Sequence, residues 1–182
     1  MGFILRKKFS IMSTINDLLN RAQGILIGLQ GGEIPRLAVL PNEADILDLQ
    51  REQMASGKSV DGQDLRPLYS EDLRQRGGWF LSGDSAARYS AWKQSLGNPY
   101  QAGDRNPDAP NLYINGRFYS EIGVQFGADA AVIVPLTPFA SEVMAKYGRQ
   151  INLGIDGWMR IMRDYGGLDR VMEEIKRRLY GD

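Results

Sequence analysis

The chain has no cysteine and no histidine in its 182 residues. Without thiols there is no disulfide, no zinc–thiolate site and no thiol nucleophile. Without imidazole, Ser-His-Asp and Cys-His machinery is excluded, and the commonest transition-metal ligand is missing. Catalysis would have to rest on carboxylates, Lys, Tyr or Ser. No charge is in excess either: 22 Lys and Arg balance 22 Asp and Glu, which argues against nucleic acid as the main partner. No apolar run approaches the roughly 20 residues that span a bilayer. The opening MGFILRKKFSIM lacks the sustained apolar centre of a secretory leader, and Arg6 stands where a myristoylation signal carries Ser or Thr. The expectation is an intracellular, soluble protein with no membrane partner and no cofactor.

What is present is ordinary for a globular protein, 43% hydrophobic and 24% charged. That length and composition suit one domain with a real core. Residues 1–12 read as a flexible arm, with Met12 as a second natural start, and 13–182 as a single α+β domain. Arg6, Lys7 and Lys8 form a small basic cluster in the arm, as Lys176, Arg177 and Arg178 do near the end.

Ser13-Thr14 suits a helix cap, and Ile15, Leu18, Leu19, Ala22, Leu26 and Leu29 keep one apolar face at helical spacing until Gly31-Gly32. Residues 33–40, between Pro35 and Pro41, read as a brief strand or extended link. Asn42 suits the cap of a helix through Met54, with Glu43 and Asp45 in its first turn. A polar turn centres on Asp61-Gly62. Ser70-Glu71-Asp72 opens a piece that runs to Gly77-Gly78. After Trp79-Phe80-Leu81, a cap at Ser82 or Asp84 begins a helix with Ala86, Tyr89, Trp92, Lys93 and Leu96 on one side. The span 97–110 is a long Pro- and Gly-containing loop, functional, flexible or both.

The stretch 112–155 organises the rest. A short helix-like piece carries Tyr113, Phe118 and Tyr119. Ile122, Val124 and Phe126 alternate as a half-buried strand does, and 130–134 is continuously apolar. The pair turns at Gly127-Ala128-Asp129. Pro138 precedes a helix over 139–147, stopped by Gly148. Two amphipathic tail helices follow, one with Trp158, Ile161, Met162 and Tyr165, the other with Leu168, Val171, Met172, Ile175 and Leu179. The expected fold is a small antiparallel sheet or hairpin packed by several helices.

Motifs that carry chemistry are fragmentary. Ser56-Gly57-Lys58-Ser59 ends like a phosphate loop but has Glu52 where the first Gly belongs. Asp104, Asn106 and Asp108 alternate like a calcium loop, with Ala109 at the glycine position and Asn115 at the bidentate position. Ser90 and Lys93 match Ser-x-x-Lys, without its partner motifs. Glu43/Asp45, Glu71/Asp72 and Glu173/Glu174 are the carboxylate pairs a glycosidase would need, and each is explained by a helix start or a solvated face. Tyr113, Phe118, Tyr119, Phe126 and Phe139 lack the basic surround of a base-stacking platform. No catalytic, cofactor or metal site is assigned, and the chain is expected not to be an enzyme.

The order of pieces from Ala44 onward resembles the virion-morphogenesis family of tailed bacteriophages, the head–tail completion or neck proteins, in the version found in Bacteroidetes phages including crAss-like ones. The matched pieces start with Asp48-Leu49-Gln50-Arg51-Glu52-Gln53-Met54, a Gly and the Asp61-Gly62 turn. Tyr69-Ser70, Tyr89 to Lys93, Asn111-Leu112-Tyr113 and Asn115-Gly116-Arg117-Phe118-Tyr119 follow. The strands, Lys146-Tyr147-Gly148 and Ile151-Asn152-Leu153 complete them. The family usually has Thr-Gly at 115–116 and Phe-Gly-Leu at 152–154. The resemblance implies a structural virion protein that acts by assembly. Copies would form a ring at the head–tail junction, made in the host cytoplasm. It would touch itself, the portal and tail or neck proteins, with no sequence-specific nucleic acid and at most passing contact with packaged DNA. The interface candidates are Arg6, Lys7, Lys8, Tyr100, Arg105, Tyr113, Phe118, Tyr119, Trp158 and Tyr165, carried by the 97–110 loop, the N-terminal arm and the aromatic pieces. A carboxylate-based wall hydrolase and a host-directed binding protein are the competing readings.

Overall fold

Residues 2–72, 83–101, 103–127 and 131–180 are described by the computed structural model, with the side chains of 15 onward. Helices α1 (Gly2–Gln30), α2 (Glu33–Val39), α3 (Glu43–Ala55), α4 (Tyr69–Asp72) and α5 (Gly83–Ser95) come first. A long loop leads to α6 (Arg117–Ser120), the strands β1 (Ile122–Phe126) and β2 (Ala131–Pro135), and then α7 (Pro138–Tyr147), α8 (Ile155–Arg163) and α9 (Gly167–Tyr180). The two strands pair as an antiparallel hairpin. The fold is therefore α+β, as the alternation of apolar periods indicates.

The chain groups into two compact units. A helical unit gathers Met1–Asn42, Phe126–Ala130 and Ile161–Asp182; a mixed unit gathers Glu43–Gln125 and Ala131–Arg160.

In the helical unit α1, α2 and α9 pack on one another. Helix α1 does not start at Ser13-Thr14: it is already helical from Gly2, through the segment expected as an arm. That segment holds no Pro, and nothing interrupts its backbone ladder, so a capping pair placed mid-run does not stop the helix. Residues 33–39 are a helix, not a strand or link. Pro35 is the third helical residue, where the backbone N–H needs no intrahelical partner, so the ring is tolerated. Gly32 supplies the left-handed entry at φ +75. Asn42 is not the cap of α3. Its Nδ2 donates to the Ala38 carbonyl at 2.8 Å, and its Oδ1 accepts from Arg170 at 3.2 Å. It thereby fastens the end of α2 to α9. Arg178 completes the set, pairing with Glu33 and Glu174, both at 2.6 Å.

In the mixed unit one glutamine joins distant segments. Gln53 donates to the Asn152 carbonyl at 2.8 Å and accepts from the Gly154 N–H at 2.9 Å. Asn152 in turn accepts from the Ile133 N–H of β2 at 3.1 Å, and the Gln150 amide accepts from the Arg66 N–H and donates to the Arg66 and Tyr147 carbonyls. The start of α7 follows the sequence closely: Thr137 accepts from the Ala140 N–H at 3.2 Å, with Pro138 at the first helical position. Around these bonds Ile46, Met54, Leu65, Tyr119, Ile122 and Ile151 are fully buried.

Two local expectations change. The helix-like piece near 112–119 is helical only over Arg117–Ser120, because Gly116 at φ +81 sets its start. On α5 the buried positions are Ala86, Ser90 and Lys93, while Trp92 is 44% exposed. The Gly77-Gly78 stop, Trp79-Phe80-Leu81, the Ser82 cap and the Ala128-Asp129 turn lie outside the described residues.

Gln50 is fully buried, and neither Oε1 nor Nε2 makes a hydrogen bond. An amide buried without partners carries a desolvation penalty of about 1–3 kcal/mol. Gln50→Met, which keeps length and flexibility, is expected to raise the urea midpoint without changing the slope, by a stabilisation of about 1–2 kcal/mol. A lower midpoint would show that the amide has a partner.

Candidate functional site

Two features stand out, one in each unit. In the mixed unit α4, α5, α7 and the 110–118 segment enclose a cavity of about 440 Å³. Its buried lining is mostly aromatic and apolar: Tyr69, Pro110, Phe118 and Tyr147. Tyr89, Leu112, Phe139 and Val143 are half-buried around it, and Ile114, Asn115, Arg117, Glu142 and Lys146 form an exposed rim. Tyr69 and Tyr89 meet edge to face, 5.0 Å between ring centres, and the Arg117 guanidinium lies 4.4 Å from the centre of the Phe139 ring. Burial pushes the phenols of Tyr69, Tyr89 and Tyr147 up, so they stay neutral donors across the physiological range.

Two ionisable groups reach the buried wall. Asp72 pairs with Lys146 at 2.5 Å. Lys93 is 4% exposed and donates to the Tyr113 carbonyl. Burial, and then the charge of Arg105, push the Lys93 ammonium down to about 8. Arg105 sits on the 97–110 loop. Its Nη1 donates to the Ala109 carbonyl at 2.6 Å, but Nε and Nη2 are buried without a hydrogen bond.

The 97–110 loop is laced to the mixed unit. Asn106 donates to Asp64 at 2.7 Å, Asp108 accepts from the Ser70 N–H at 2.9 Å, and Ser90 donates to the Pro107 carbonyl. These bonds occupy the residues that resembled a calcium loop, and Asp104 is exposed. Among the described residues no cluster of three or more carboxylates could hold a metal. The Ser90 hydroxyl is engaged by Pro107, not by Lys93, so the Ser-x-x-Lys match forms no nucleophile and base. Lys58, from the phosphate-loop fragment, pairs with Asp64 at 2.8 Å. Hydrogen bonds from Asn106 and Lys58 hold the Asp64 carboxyl below its usual range.

Three of the six paired carboxylates are engaged. Glu71 is bonded to Arg66 and to the Leu68 N–H, and Asp72 to Lys146. Hydrogen bonds from Arg177 and Arg178 pull Glu174 down to about 2. Glu43 and Asp45 sit in the first turn of α3. A general acid needs a raised pKa, and the carboxylates displaced here move the other way.

The second feature is on α1. The stripe expected to be core is uncovered: Ile15 is 50%, Leu19 61% and Leu26 53% exposed, and Leu18, Ala22 and Leu29 are exposed with them. The buried side of α1 carries Ile25 and Gly28 instead, roughly a third of a turn away at 100° per residue. Gly28 leaves room for Ile34: a Cβ there would stand 3.1 Å from the Ile34 side chain. The exposed positions 15, 19, 22, 26 and 29 alternate steps of four and three. That is the seam of a coiled coil, and the spacing itself could have shown it.

The interface candidates divide. Phe118 and Tyr119, at 4% and 2% exposure, are core and present no surface. Apolar area of that size is more stable inside the unit that carries it. Tyr100 lies against Tyr119, 5.6 Å between centres, and Tyr113 at 5.4 Å. Tyr100, Arg105, Tyr113, Trp158 and Tyr165 are half-buried. The side chains of Arg6, Lys7 and Lys8 lie outside the described residues, on the helix that bears the seam. Among the described residues no helix is long and apolar enough to cross a membrane. Comparison with protein-family models, curated proteins and solved structures gave no match to this chain.

Proposed function

We propose that the protein works by assembly, through the exposed seam of α1 meeting a helix of a neighbouring copy, as a structural component of a tailed-phage virion at the head–tail junction. The observation that carries the assembly reading is the seam. Five apolar positions at heptad spacing face solvent on a helix whose buried side, about a third of a turn away, is already packed. Leaving that area in water is unfavourable by about 25 cal/mol per Å², and a contiguous apolar patch on a soluble chain marks an interaction site. Asn16, Gln23 and Gln30 flank the seam on one side. They are polar and uncharged, so they impose no like-charge repulsion between copies. The station in the virion rests on the order of sequence pieces from Ala44 onward, with portal, neck or tail proteins as further partners.

Sedimentation velocity of the full chain is the test. The native protein is expected to sediment above monomer mass with rising concentration. Leu19→Glu with Leu26→Glu is expected to return it to monomer while circular dichroism keeps its helix content, since neither side chain is in the core. A native chain that stays monomeric at all concentrations would sink the assembly reading. Closed rings in negative stain support the connector station; dimers alone would leave assembly standing and remove the ring.

A further inference from the structure

We propose that the tyrosine-lined cavity of the mixed unit is a binding site for a small organic carboxylate, its anionic head on Lys93 and its aryl or alkyl body against Tyr69, Tyr89, Phe118 and Tyr147. The volume of about 440 Å³ falls within the roughly 300–1,000 Å³ of ordinary ligand pockets. An apolar body with few polar groups on the wall is the usual composition of such a site. The head group follows from charge. Asp72 already has Lys146 as its partner, and Glu142 is on the exposed rim. Lys93 is nearly buried, and among the described residues it forms no ion pair. An ammonium has three N–H donors, and one is given to the Tyr113 carbonyl.

Arg105 does not line the cavity, but it adds positive charge beside Lys93. Two of its nitrogens are buried and make no hydrogen bond, and its charge is felt at Lys93, Tyr69 and Tyr119. A buried ammonium beside a second cation, with no carboxylate paired to it, is an unfavourable arrangement. An incoming anion relieves it, whereas an incoming cation makes it worse. A neutral ligand of the same shape gains the apolar burial only. The discrimination is therefore between a carboxylate and its uncharged analogue.

Isothermal titration calorimetry on the full chain, with 4-phenylbutyrate and 4-phenyl-1-butanol as probes, reads this directly. A charge-assisted hydrogen bond in a site of this kind favours the carboxylate by about ten-fold or more. Lys93→Met is expected to bring the two probes within about two-fold of each other. It removes a buried charge in favour of an apolar side chain of similar length, so its melting temperature is expected to hold. Val143→Trp, which fills the cavity from α7, is expected to abolish binding of both. Raising the pH above about 8 should erode the preference in the native chain, because Lys93 loses its proton while Tyr69 and Tyr89 stay neutral; Asp72, paired with Lys146, and the Arg105 guanidinium are the other charged groups nearby. Equal affinity for the two probes would overturn the proposal. So would a preference that survives Lys93→Met, binding unchanged by Val143→Trp, or no binding of either at millimolar concentration.

Discussion

Tyr119→Ala is expected to destabilise the protein by about 3–5 kcal/mol, while Tyr119→Phe is expected to cost only about 1 kcal/mol. The ring is 2% exposed and is the centre of an aromatic group, with Tyr100, Tyr113 and Phe118 all within 6.4 Å between ring centres. Truncation removes the burial and leaves a void that the loop cannot close without breaking its own bonds. Phe keeps the ring and loses one interaction, the hydroxyl donating to the Asn111 carbonyl at 2.6 Å. At roughly 2–4 °C per kcal/mol for a chain of this size, Ala should lower the melting temperature by about 6–20 °C and Phe by a few degrees. A Phe variant as unstable as the Ala variant would move the weight from packing to the hydrogen bond. The milder variant also bears on the cavity. Asn111 accepts from the Tyr113 N–H at 3.2 Å, and the Tyr113 carbonyl receives Lys93. The Tyr119 hydroxyl therefore stands three bonds from the ammonium, and its loss should weaken carboxylate binding more than binding of the alcohol.

Where a local rule acts alone, the sequence is readable. Alternation at 122, 124 and 126 gave a strand, and Thr137-Pro138 gave a helix start, because each is decided within one turn or one pleat. The loop at 97–110 was legible as a loop, but not as a laced one: Asn106 meets Asp64, 42 residues away, and Asp108 meets Ser70, 38 residues away. No composition reports such pairings. The helix at 33–39 was hidden because Pro35 reads as a breaker unless its place in the first turn is known. The cavity was hidden for a similar reason. Lys93 carries a long charged side chain that normally lies at the surface, and its burial depends on α5 facing the 107–113 segment. On α1 the periodicity was right and its meaning reversed. An amphipathic stripe shows that a face will be covered, and it does not tell whether the chain's own core or another molecule covers it. A packing face built from Gly28, Ile25 and Arg21 is too small and too polar to register beside five large aliphatics and Ala22, so the wrong face looked like the core.

That weak face makes the second large effect specific. Ile34→Ala is expected to cost about 2–5 kcal/mol, read as loss of amide hydrogen-exchange protection across α1, α2 and α9. Ile34 is fully buried, and its Cγ1 and Cδ1 fill the space over Gly28. Gly28→Ala alone puts a Cβ 3.1 Å from those atoms and 2.7 Å from the Arg178 guanidinium. The arginine end can swing away, whereas the isoleucine cannot, so overpacking should cost about 1–3 kcal/mol. The double variant is expected to be less damaging than the sum of the two. The new methyl enters the void left by the shortened side chain, giving a coupling of about 0.5 kcal/mol or more. Additive losses would mean that Gly28 and Ile34 do not share one contact. The same cycle reaches assembly. A seam on α1 is useful only while the helix is held in place from behind, since helix propensity alone is marginal support in water. Ile34→Ala leaves every seam residue intact, yet it should shift sedimentation toward monomer, and Gly28→Ala in the same chain should restore part of the larger species.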